Sequence, residues 1–459
     1  MAQPARQLPQ QVGVTRVARA DSGTHATDMR SASSVVFALY LTYAAFFFLN
    51  IPNRVPGLGV IRPTLLLAIA ILGLLFAEGM LFEKKDTSTI SKRLNVLLIY
   101  MVLSLPFVKW PGSVVTQNLP QFVKAVLFFF VTVKVVDTIP RLRLFLLVVI
   151  GSQVLRVYEP LFLHLTTGYW GSSAHMGGGE MLSRLAGAPN DIINPNGLAY
   201  VVITAMAFMH YLMTGTKKVW HTLLYLALAP GLLYALLLTG SRSGLVGFGV
   251  LALIVFFKSK RKGLLVLVGV VGLAGAISVM TPDQRDRYLS IVSEDTKNAS
   301  SVTSRSSGVT KDLENGFKRP IFGHGVGTSL EANANYRGQA YYSHVMYTEV
   351  FVELGIVGVV LFLLVLWSIV KTSRLAKRTL DERAEVLRQS APAELAFLSR
   401  LANAVQAWVG MGLVFSLAQY GLSEYNWYLV GGLSVVLYNC VVALSDRAAK
   451  ASKEGAACS

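Results

Sequence analysis

Apolar residues along this chain are concentrated in segments of about 20 residues, and shorter polar stretches separate them. A run of that length is what an α-helix needs to cross the hydrocarbon core of a bilayer. The pattern predicts an all-α polytopic membrane protein with about 12 transmembrane helices. The predicted spans are residues 33–51, 62–82, 94–109, 119–137, 141–163, 195–215, 219–238, 243–258, 263–281, 345–370, 401–420 and 427–445.

The composition agrees with a membrane protein. Of the 459 residues, 53% are hydrophobic and 15% are charged. A soluble globular protein carries about 25% charged residues, so the low charged fraction argues against a soluble fold. Neither of the two cysteines lies in a zinc-binding spacing, and no disulfide is predicted between them.

The net charge of +17 is distributed as a topology signal. Basic residues cluster in alternate loops, as the positive-inside rule requires when both termini are cytoplasmic. This distribution argues against nucleic-acid binding as the cause of the positive charge. The loops concerned contain Lys84, Lys85, Lys92 and Arg93; Arg141 and Arg143; Lys217 and Lys218; Lys258, Lys260, Arg261 and Lys262; Arg374, Lys377 and Arg378; and Arg447, Lys450 and Lys453.

The topology divides the chain into five parts. Its largest external loop begins with Thr281 and Pro282, a capping residue followed by a helix-starting proline, and a second short helix is expected at about 303–317. The parts are a disordered cytoplasmic tail (1–32), transmembrane helices 1–9 (33–281), a helical periplasmic loop between helices 9 and 10 (282–343), transmembrane helices 10–12 (344–445) and a cytoplasmic tail (446–459).

Titratable side chains gather near the outer ends of the predicted spans. Lys124 lies near the start of the fourth span, Arg156 near the end of the fifth, Arg242 at the start of the eighth and His344 at the start of the tenth. Such residues are costly in a membrane and usually functional. Because they lie on the outer side and not at midplane, they favour an external site over a transport path.

The elbow "TGSRSG" at 239–244 presents an arginine on the outer face, where positive charge opposes the topology rule. The guanidinium of Arg242, beside the hydroxyl of Ser241 and a helix N-terminus, suits a phosphate group. The alternative is that Arg242 only reaches a lipid head group.

Arg305 is a further anion-binding candidate, since it lies near a predicted helix start. The run "GHGVG" at 323–327 follows no strand and opens no βαβ unit, so we interpret it as a tight turn whose glycines adopt positive φ. His324 within it is either functional or purely structural.

His344 is suited to act as a general base, because an imidazole titrates near neutral pH; the alternative is an interfacial histidine bonded to a loop carbonyl. Glu353 lies nine residues later on the opposite helix face. We therefore expect Glu353 to pair with a basic group from another helix. Gly355 and Gly358 permit close helix packing.

These motifs together resemble the bacterial O-antigen ligase and O-antigen polymerase superfamily. The resemblance rests on His344 followed by Glu-x-Gly-x-x-Gly from Glu353, on the Ser-Arg elbow, on "SR" at 304–305 before "RPIFGHGVG", and on "RLAGAPNDIINPNGLA" at 184–199. The chain differs from the family pattern in having Val345 after the histidine, Ser-Ser-Gly after Arg305 and two available Pro-Asn pairs, at 189–190 and at 195–196.

The resemblance implies a glycosyltransferase in the bacterial inner membrane whose active site faces the periplasm. It would transfer a glycan from undecaprenyl diphosphate to an acceptor hydroxyl, inverting the anomeric centre, with no metal and no cofactor. His344, Arg242 and Arg305 would be catalytic. The donor diphosphate would be bound by Arg242, Arg305, Arg184, Lys124 and Arg156, with support from Ser241, Glu353 and His324.

The acceptor defines the activity. We favour ligation of O-antigen to lipid A core in lipopolysaccharide biosynthesis. The alternatives are polymerisation of lipid-linked O-antigen or exopolysaccharide repeat units, and transfer to a protein side chain. A polysaccharide flippase or transporter is the alternative from a different class, and the low charge of the inner halves of the spans argues against it.

Overall fold

The computed structural model describes residues 31–81, 88–175, 181–291, 293, 300–338, 342–343, 345–419 and 421–457. Within these ranges, the side chains of residues 175, 300–306, 337 and 451–457 are not described. Nearly all of the predicted N-terminal tail therefore lies outside the described residues, as does His344.

Helices account for most of the described chain. They are α1 (Ser34–Phe48), α2 (Ile51–Arg54), α3 (Leu58–Ile61), α4 (Pro63–Ala77), α5 (Thr89–Leu103), α6 (Pro111–Ser113), α7 (Leu119–Val135), α8 (Ile139–Thr167), α9 (Pro195–Met213), α10 (Val219–Leu238), α11 (Arg242–Lys258), α12 (Lys262–Val279), α13 (Pro282–Leu289), α14 (Ser300–Phe317), α15 (Ser329–Arg337), α16 (Met346–Glu382), α17 (Ala384–Ser390), α18 (Pro392–Phe415) and α19 (Tyr425–Ala457). A 3₁₀ turn (Leu105–Phe107) and a π-helical turn (Val114–Asn118) lie between α5 and α7.

The all-α polytopic fold predicted from the sequence is confirmed. Each of the twelve predicted spans falls on a helix. By length and composition, eight helical segments of the described chain can cross a membrane; the other four predicted spans fall on α1, α5, α11 and α18. The count of twelve stays a prediction.

The predicted external loop 164–194 contains a short hairpin that the sequence did not indicate. Strands β1 (Gly171–His175) and β2 (Met181–Leu185) pair antiparallel, with Ser172 opposite Arg184. The pairing continues one residue beyond the strands, because Ala186 N–H donates to the carbonyl of Trp170 at 2.9 Å.

The loop after α12 is helical, as expected. Helix α13 begins at the predicted position, where Thr281 and Gln284 form a reciprocal capping box. Helix α14 covers the second predicted helix and starts slightly earlier. Helix α15, a third helix in this loop, was not predicted.

The core lies where α19 packs between α7 and α16, and small residues permit this close approach. Gly431 and Gly432 of α19 face Phe129 of α7, and a Cβ at Gly432 would lie 3.2 Å from the Phe129 carbonyl oxygen. In contrast, α12 has no buried residue. A helix that is apolar on all sides and unburied in the protein is suited to face lipid.

Helix α16 is broken at Gly355, whose φ of 65° and ψ of −170° lie outside the helical region. A break of this kind leaves backbone groups without their helical partners, which is costly at membrane depth unless other groups replace them. The loop 320–325 supplies the partners. The N–H groups of His324 and Gly325 donate to the carbonyls of Val352 and Glu353 at 2.9 and 2.8 Å.

Two further bonds complete the join. The N–H of Ile356 donates to the carbonyl of Pro320 at 2.8 Å, and the Tyr100 hydroxyl donates to the carbonyl of Leu354 at 2.7 Å. The motif "PIFGHGVG" is therefore the piece of backbone that closes the gap in α16.

Glycine is required on both sides of this join. A Cβ at Gly323 would lie 2.3 Å from the Glu353 carbonyl oxygen, and a Cβ at Gly355 would lie 2.3 Å from that of Ile321. The predicted glycine turn is confirmed, because Gly323, Gly325 and Gly327 have φ of 71°, 118° and 74°. Close packing was expected at Gly355, but against another helix and not against a loop.

Substituting Gly355→Ala should destabilise the protein, because alanine meets both an unfavourable φ and a steric overlap. We expect a loss of about 3 kcal/mol or more, seen as a lower apparent melting temperature of the purified protein. Gly269→Ala in α12 is the control, since nothing lies within 4 Å of its added Cβ. Equal melting temperatures for the two variants would contradict this account of the break.

Candidate active site

The residues around the elbow 239–244 form a buried polar site, and Arg184 enters it from strand β2. Its Nε donates to the carbonyl of Thr239 at 2.8 Å, and one terminal nitrogen donates to Asn196 Oδ1 at 2.9 Å. The hairpin therefore places an arginine of the loop 164–194 against the turn between α10 and α11. The sequence predicted Arg184 as a candidate but not this contact.

Ser241 organises the start of α11. Its Oγ accepts from the N–H of Gly244 at 3.2 Å, which caps the helix, and it donates to Asn196 Oδ1 at 2.9 Å. Asn196 lies in the first turn of α9, so one amide oxygen joins α9, α11 and β2. Ser241 is thus a structural link beside the arginines.

Arg242 is the first residue of α11, and one terminal nitrogen donates to Ser290 Oγ at 2.8 Å. Ser290 directly follows α13, so this bond ties the elbow to the loop after α12. Arg242 is 8% exposed. The predicted guanidinium on the outer side of the elbow is therefore largely enclosed by protein.

A third arginine, Arg287 of α13, was missed by the sequence reasoning. Its Nε donates to the carbonyl of Gly240 at 2.7 Å, and the residue is 5% exposed. The sequence signal that could have found Arg287 is the one that singled out Arg242: positive charge in a predicted external loop opposes the topology rule. The loop was interpreted only as a helix start.

Arg184, Arg242 and Arg287 form what we call the arginine cluster. Backbone carbonyls of the elbow hold two of them through Nε. Burial raises the pKa of the neighbouring Tyr288 phenol above its usual range, so this group stays neutral and donates to the carbonyl of Leu237 at 3.0 Å. Converging guanidinium groups of this kind are suited to binding phosphate oxygens.

Helix α9 connects the arginine cluster to the start of α16. Tyr200 lies one turn after Asn196, about 6 Å further along the helix axis. Together with Met346, Ser416 and Gln419, Tyr200 lines a small cavity. Met346 is fixed there by its N–H, which donates to the carbonyl of Ser416 at 3.0 Å.

Two predicted catalytic residues are only partly located. His344 lies outside the described residues, but it immediately precedes Val345 and the first residue of α16. Arg305 lies on α14, and its side chain is not described. Helix α14 is held against α16, since Thr348 Oγ1 donates to Asp312 Oδ2 at 3.2 Å.

Arg156 and Lys124, two further predicted diphosphate ligands, lie apart from the arginine cluster. Two nitrogens of Arg156 donate to the two carboxylate oxygens of Asp191, each at 2.6 Å, and Arg54 also contacts that carboxylate at 3.0 Å. Burial opposes ionisation of Asp191, but the bonds and charge of Arg156 outweigh it, so the pKa of Asp191 is lowered. Lys124 is exposed on α7. No contact between described residues joins Arg156 or Lys124 to the arginine cluster.

The expectation of a basic partner for Glu353 is wrong. Within the described chain, its carboxylate accepts from the N–H groups of Gly327 at 2.7 Å and Ser329 at 3.3 Å. These groups lie at the N-terminus of α15, where free N–H groups and the helix dipole stabilise an anion. Glu349 does the same for the segment after α18, accepting from Gly421 at 2.7 Å and Leu422 at 3.2 Å.

His324 is fully buried beside the break in α16. Its Nδ1 lies 3.0 Å from the carbonyl of Val352, so Nδ1 carries the proton and donates it. Nε2 has no hydrogen-bonding partner among the described residues. Burial lowers the pKa of the His324 imidazole, and the charges of Arg319, Lys109 and Lys318 lower it further. The ring is therefore neutral, and it positions the loop that closes the break.

A family comparison supports membership of the O-antigen ligase superfamily. Residues 199–363 match the family model described as O-antigen ligase. The matched segment includes Arg242, Arg287 and the break in α16. The match supports a multi-pass membrane enzyme of the O-antigen ligase or polymerase type and implies a glycosyltransferase-like activity. A search of curated proteins found no match.

The protein should lose stability on acidification through His324. The unfolded chain takes up a proton near pH 6.5, whereas the lowered pKa keeps the folded imidazole neutral. The stability from the neutral ring is thus fully present above about pH 6.5 and is lost as the pH falls towards the folded pKa.

We expect the apparent melting temperature to fall between pH 7.5 and 5.5 more steeply in the wild type than in His324→Asn. The asparagine amide can replace the Nδ1 donor, but it does not titrate. The same pH dependence in both proteins would rule out His324 as the titrating group.

Proposed function

We propose that this protein transfers a glycan from undecaprenyl diphosphate to an acceptor hydroxyl on the periplasmic face of the inner membrane. The acceptor that we favour is lipid A core, so that the reaction is O-antigen ligation in lipopolysaccharide biosynthesis. The observation that supports this most directly is the arginine cluster, which gathers buried guanidinium groups from three separate segments at one elbow.

The arginine cluster suits the leaving group of this reaction. When the bond between the anomeric carbon and the phosphate oxygen breaks, negative charge develops on the diphosphate. Donors that are already in place and partly desolvated stabilise such charge strongly. The bonds from Arg184 and Arg287 to the elbow carbonyls orient these guanidinium groups before substrate arrives. Arg305, Lys124 and Arg156 remain proposed diphosphate ligands on the strength of the family resemblance.

His344 is the proposed general base. It would take the proton from the acceptor hydroxyl as the oxygen attacks the anomeric carbon, and the lipid diphosphate would leave from the opposite face with inversion. Its place in the sequence, two residues before Met346, supports this role, because Met346 lines the same cavity as Tyr200, which lies one helical turn from Asn196. The proposed mechanism uses no metal ion and no organic cofactor.

The carboxylates of α16 support His344 indirectly. Glu353 fixes the loop 327–329 and Glu349 fixes the segment 421–422, both by accepting backbone N–H groups. These tethers surround the first two turns of α16, directly after His344. We assign Glu349 and Glu353 as positioning residues.

Arg287→Gln should reduce transfer by roughly 10³-fold, by analogy with other phosphate-stabilising arginines. The assay uses purified protein, lipid-diphosphate-linked glycan and a lipid A core acceptor. Arg285→Gln is the matched control, because Arg285 is exposed on the same helix, and it should keep normal transfer. If both variants behave alike, Arg287 has no role in the donor site.

A cell in which the gene is replaced by His344→Ala should lose long-chain bands from its lipid A core on a glycolipid gel. Lipid-linked polymer should accumulate, because polymerisation precedes ligation. A core that carries a single repeat unit would instead identify a polymerase. Normal long-chain bands, with the variant present in the membrane, would remove His344 from the mechanism.

A further inference from the structure

A cluster of cations and aromatic rings lies outside the arginine cluster, where the turn after α5 contacts the external loop. We call it the basic aromatic surface, and it consists of Lys109, Trp110, Lys318, Arg319 and Tyr336. The Lys318 ammonium is 3.6 Å from the ring centroid of Tyr336, and the Lys109 ammonium is 4.4 Å from it. The two ammonium groups therefore lie close to the same aromatic ring.

The aromatic rings of this surface are fixed from behind by His324. The Trp110 ring stacks on the imidazole at a centroid distance of 5.6 Å, and the Tyr336 ring meets it edge-on at 5.7 Å. Lys109 Nζ donates to the Tyr336 hydroxyl at 2.9 Å. Because His324 is fully buried while Trp110 and Tyr336 are partly exposed, the rings are presented in a defined geometry.

The charge of this surface is not balanced within the described chain. No described carboxylate lies within ion-pair distance of Lys109, Lys318 or Arg319. Arg319 is held beside them through its bond to the carbonyl of Phe107 at 2.7 Å. Neighbouring like charges repel, so an anion bound here would be stabilised by all three.

We propose that the basic aromatic surface binds an anionic saccharide, a sugar that carries phosphate or carboxylate groups. Ammonium and guanidinium groups bind such anions through charge-assisted hydrogen bonds. The partly exposed ring of Trp110 offers an apolar platform on which the C–H groups of a sugar ring pack. A lipid head group needs only the charge, so the rings favour a saccharide.

This assignment rests on the proposed function, because it makes the saccharide part of the acceptor. The surface is joined to the proposed centre by the closing loop, since the backbone of His324 binds Val352 and Glu353 caps the helix that carries Tyr336. A phosphorylated core oligosaccharide held there would lie beside the helix that begins after His344.

The test measures binding to the full-length protein in nanodiscs of zwitterionic lipid. The probe is deacylated, phosphorylated lipid A core oligosaccharide, compared with the same oligosaccharide after chemical removal of phosphate. We expect tighter binding of the phosphorylated probe and a loss of about tenfold or more in the Lys109→Gln/Lys318→Gln double variant. Lys311→Gln, an exposed lysine on α14, is the control and should bind normally.

A second variant tests the aromatic part. Trp110→Ala should weaken binding of the oligosaccharide but leave binding of inorganic phosphate unchanged. Equal loss for both probes would overturn the saccharide assignment, as would protein that binds phosphatidylglycerol nanodiscs but not the oligosaccharide. Unchanged binding in the double variant, with a normal melting temperature, would show that the basic aromatic surface is not the binding site. A double variant with a lowered melting temperature is replaced by Lys109→Arg/Lys318→Arg, which should restore binding.

The two proposals fail separately. If Arg287→Gln keeps normal transfer, the arginine cluster is not the donor site, and this conclusion does not depend on the oligosaccharide-binding result. If the lysine double variant binds the oligosaccharide and transfers glycan normally while Arg287→Gln is inactive, the basic aromatic surface does not bind the saccharide. The assignment of the arginine cluster as the donor site is then retained.

Discussion

The break in α16 and its closure by the loop 320–325 are the constraint on which the site depends. A membrane helix cannot leave backbone groups unsatisfied, so the carbonyls of Val352 and Glu353 require donors from elsewhere. His324 and Gly325 supply them, and this fixes the loop after α12 to the helix that follows His344. The polar residues of the loop gain their defined positions from this backbone pairing.

The arginine cluster depends on a similar use of backbone groups. The elbow between α10 and α11 presents the carbonyls of Thr239 and Gly240 to arginines from β2 and α13. Segments distant in sequence thus meet at one short turn, and Asn196 joins them to α9. In both places, a local departure from helical geometry creates the acceptors that gather the charged or polar segments. The proposed donor site lies at the elbow between α10 and α11, and the proposed acceptor site lies beside the loop that closes the break in α16.

Sequence reasoning singled out Arg242 because its charge opposes the predicted topology, and the structure places Arg242 in the arginine cluster. It missed Arg287 because the same argument was not applied to α13, and it missed the hairpin because short polar strands in a loop leave no clear period. For Glu353, the sequence reasoning expected a basic group from another helix as the partner. The partner is backbone at the start of α15, and no pattern in the side chains reveals where such a terminus docks.

The sequence by itself determined the fold class, the positions of the spans and the family motifs, since these follow from local hydrophobic length, charge bias and short residue patterns. Only the tertiary structure decided which charges converge. It placed Arg184, Arg242 and Arg287 together and Arg156 with Asp191. The physical reason is that convergence depends on hydrogen bonds between backbone and side chains far apart in the chain, and their geometry exists only once the helices have packed.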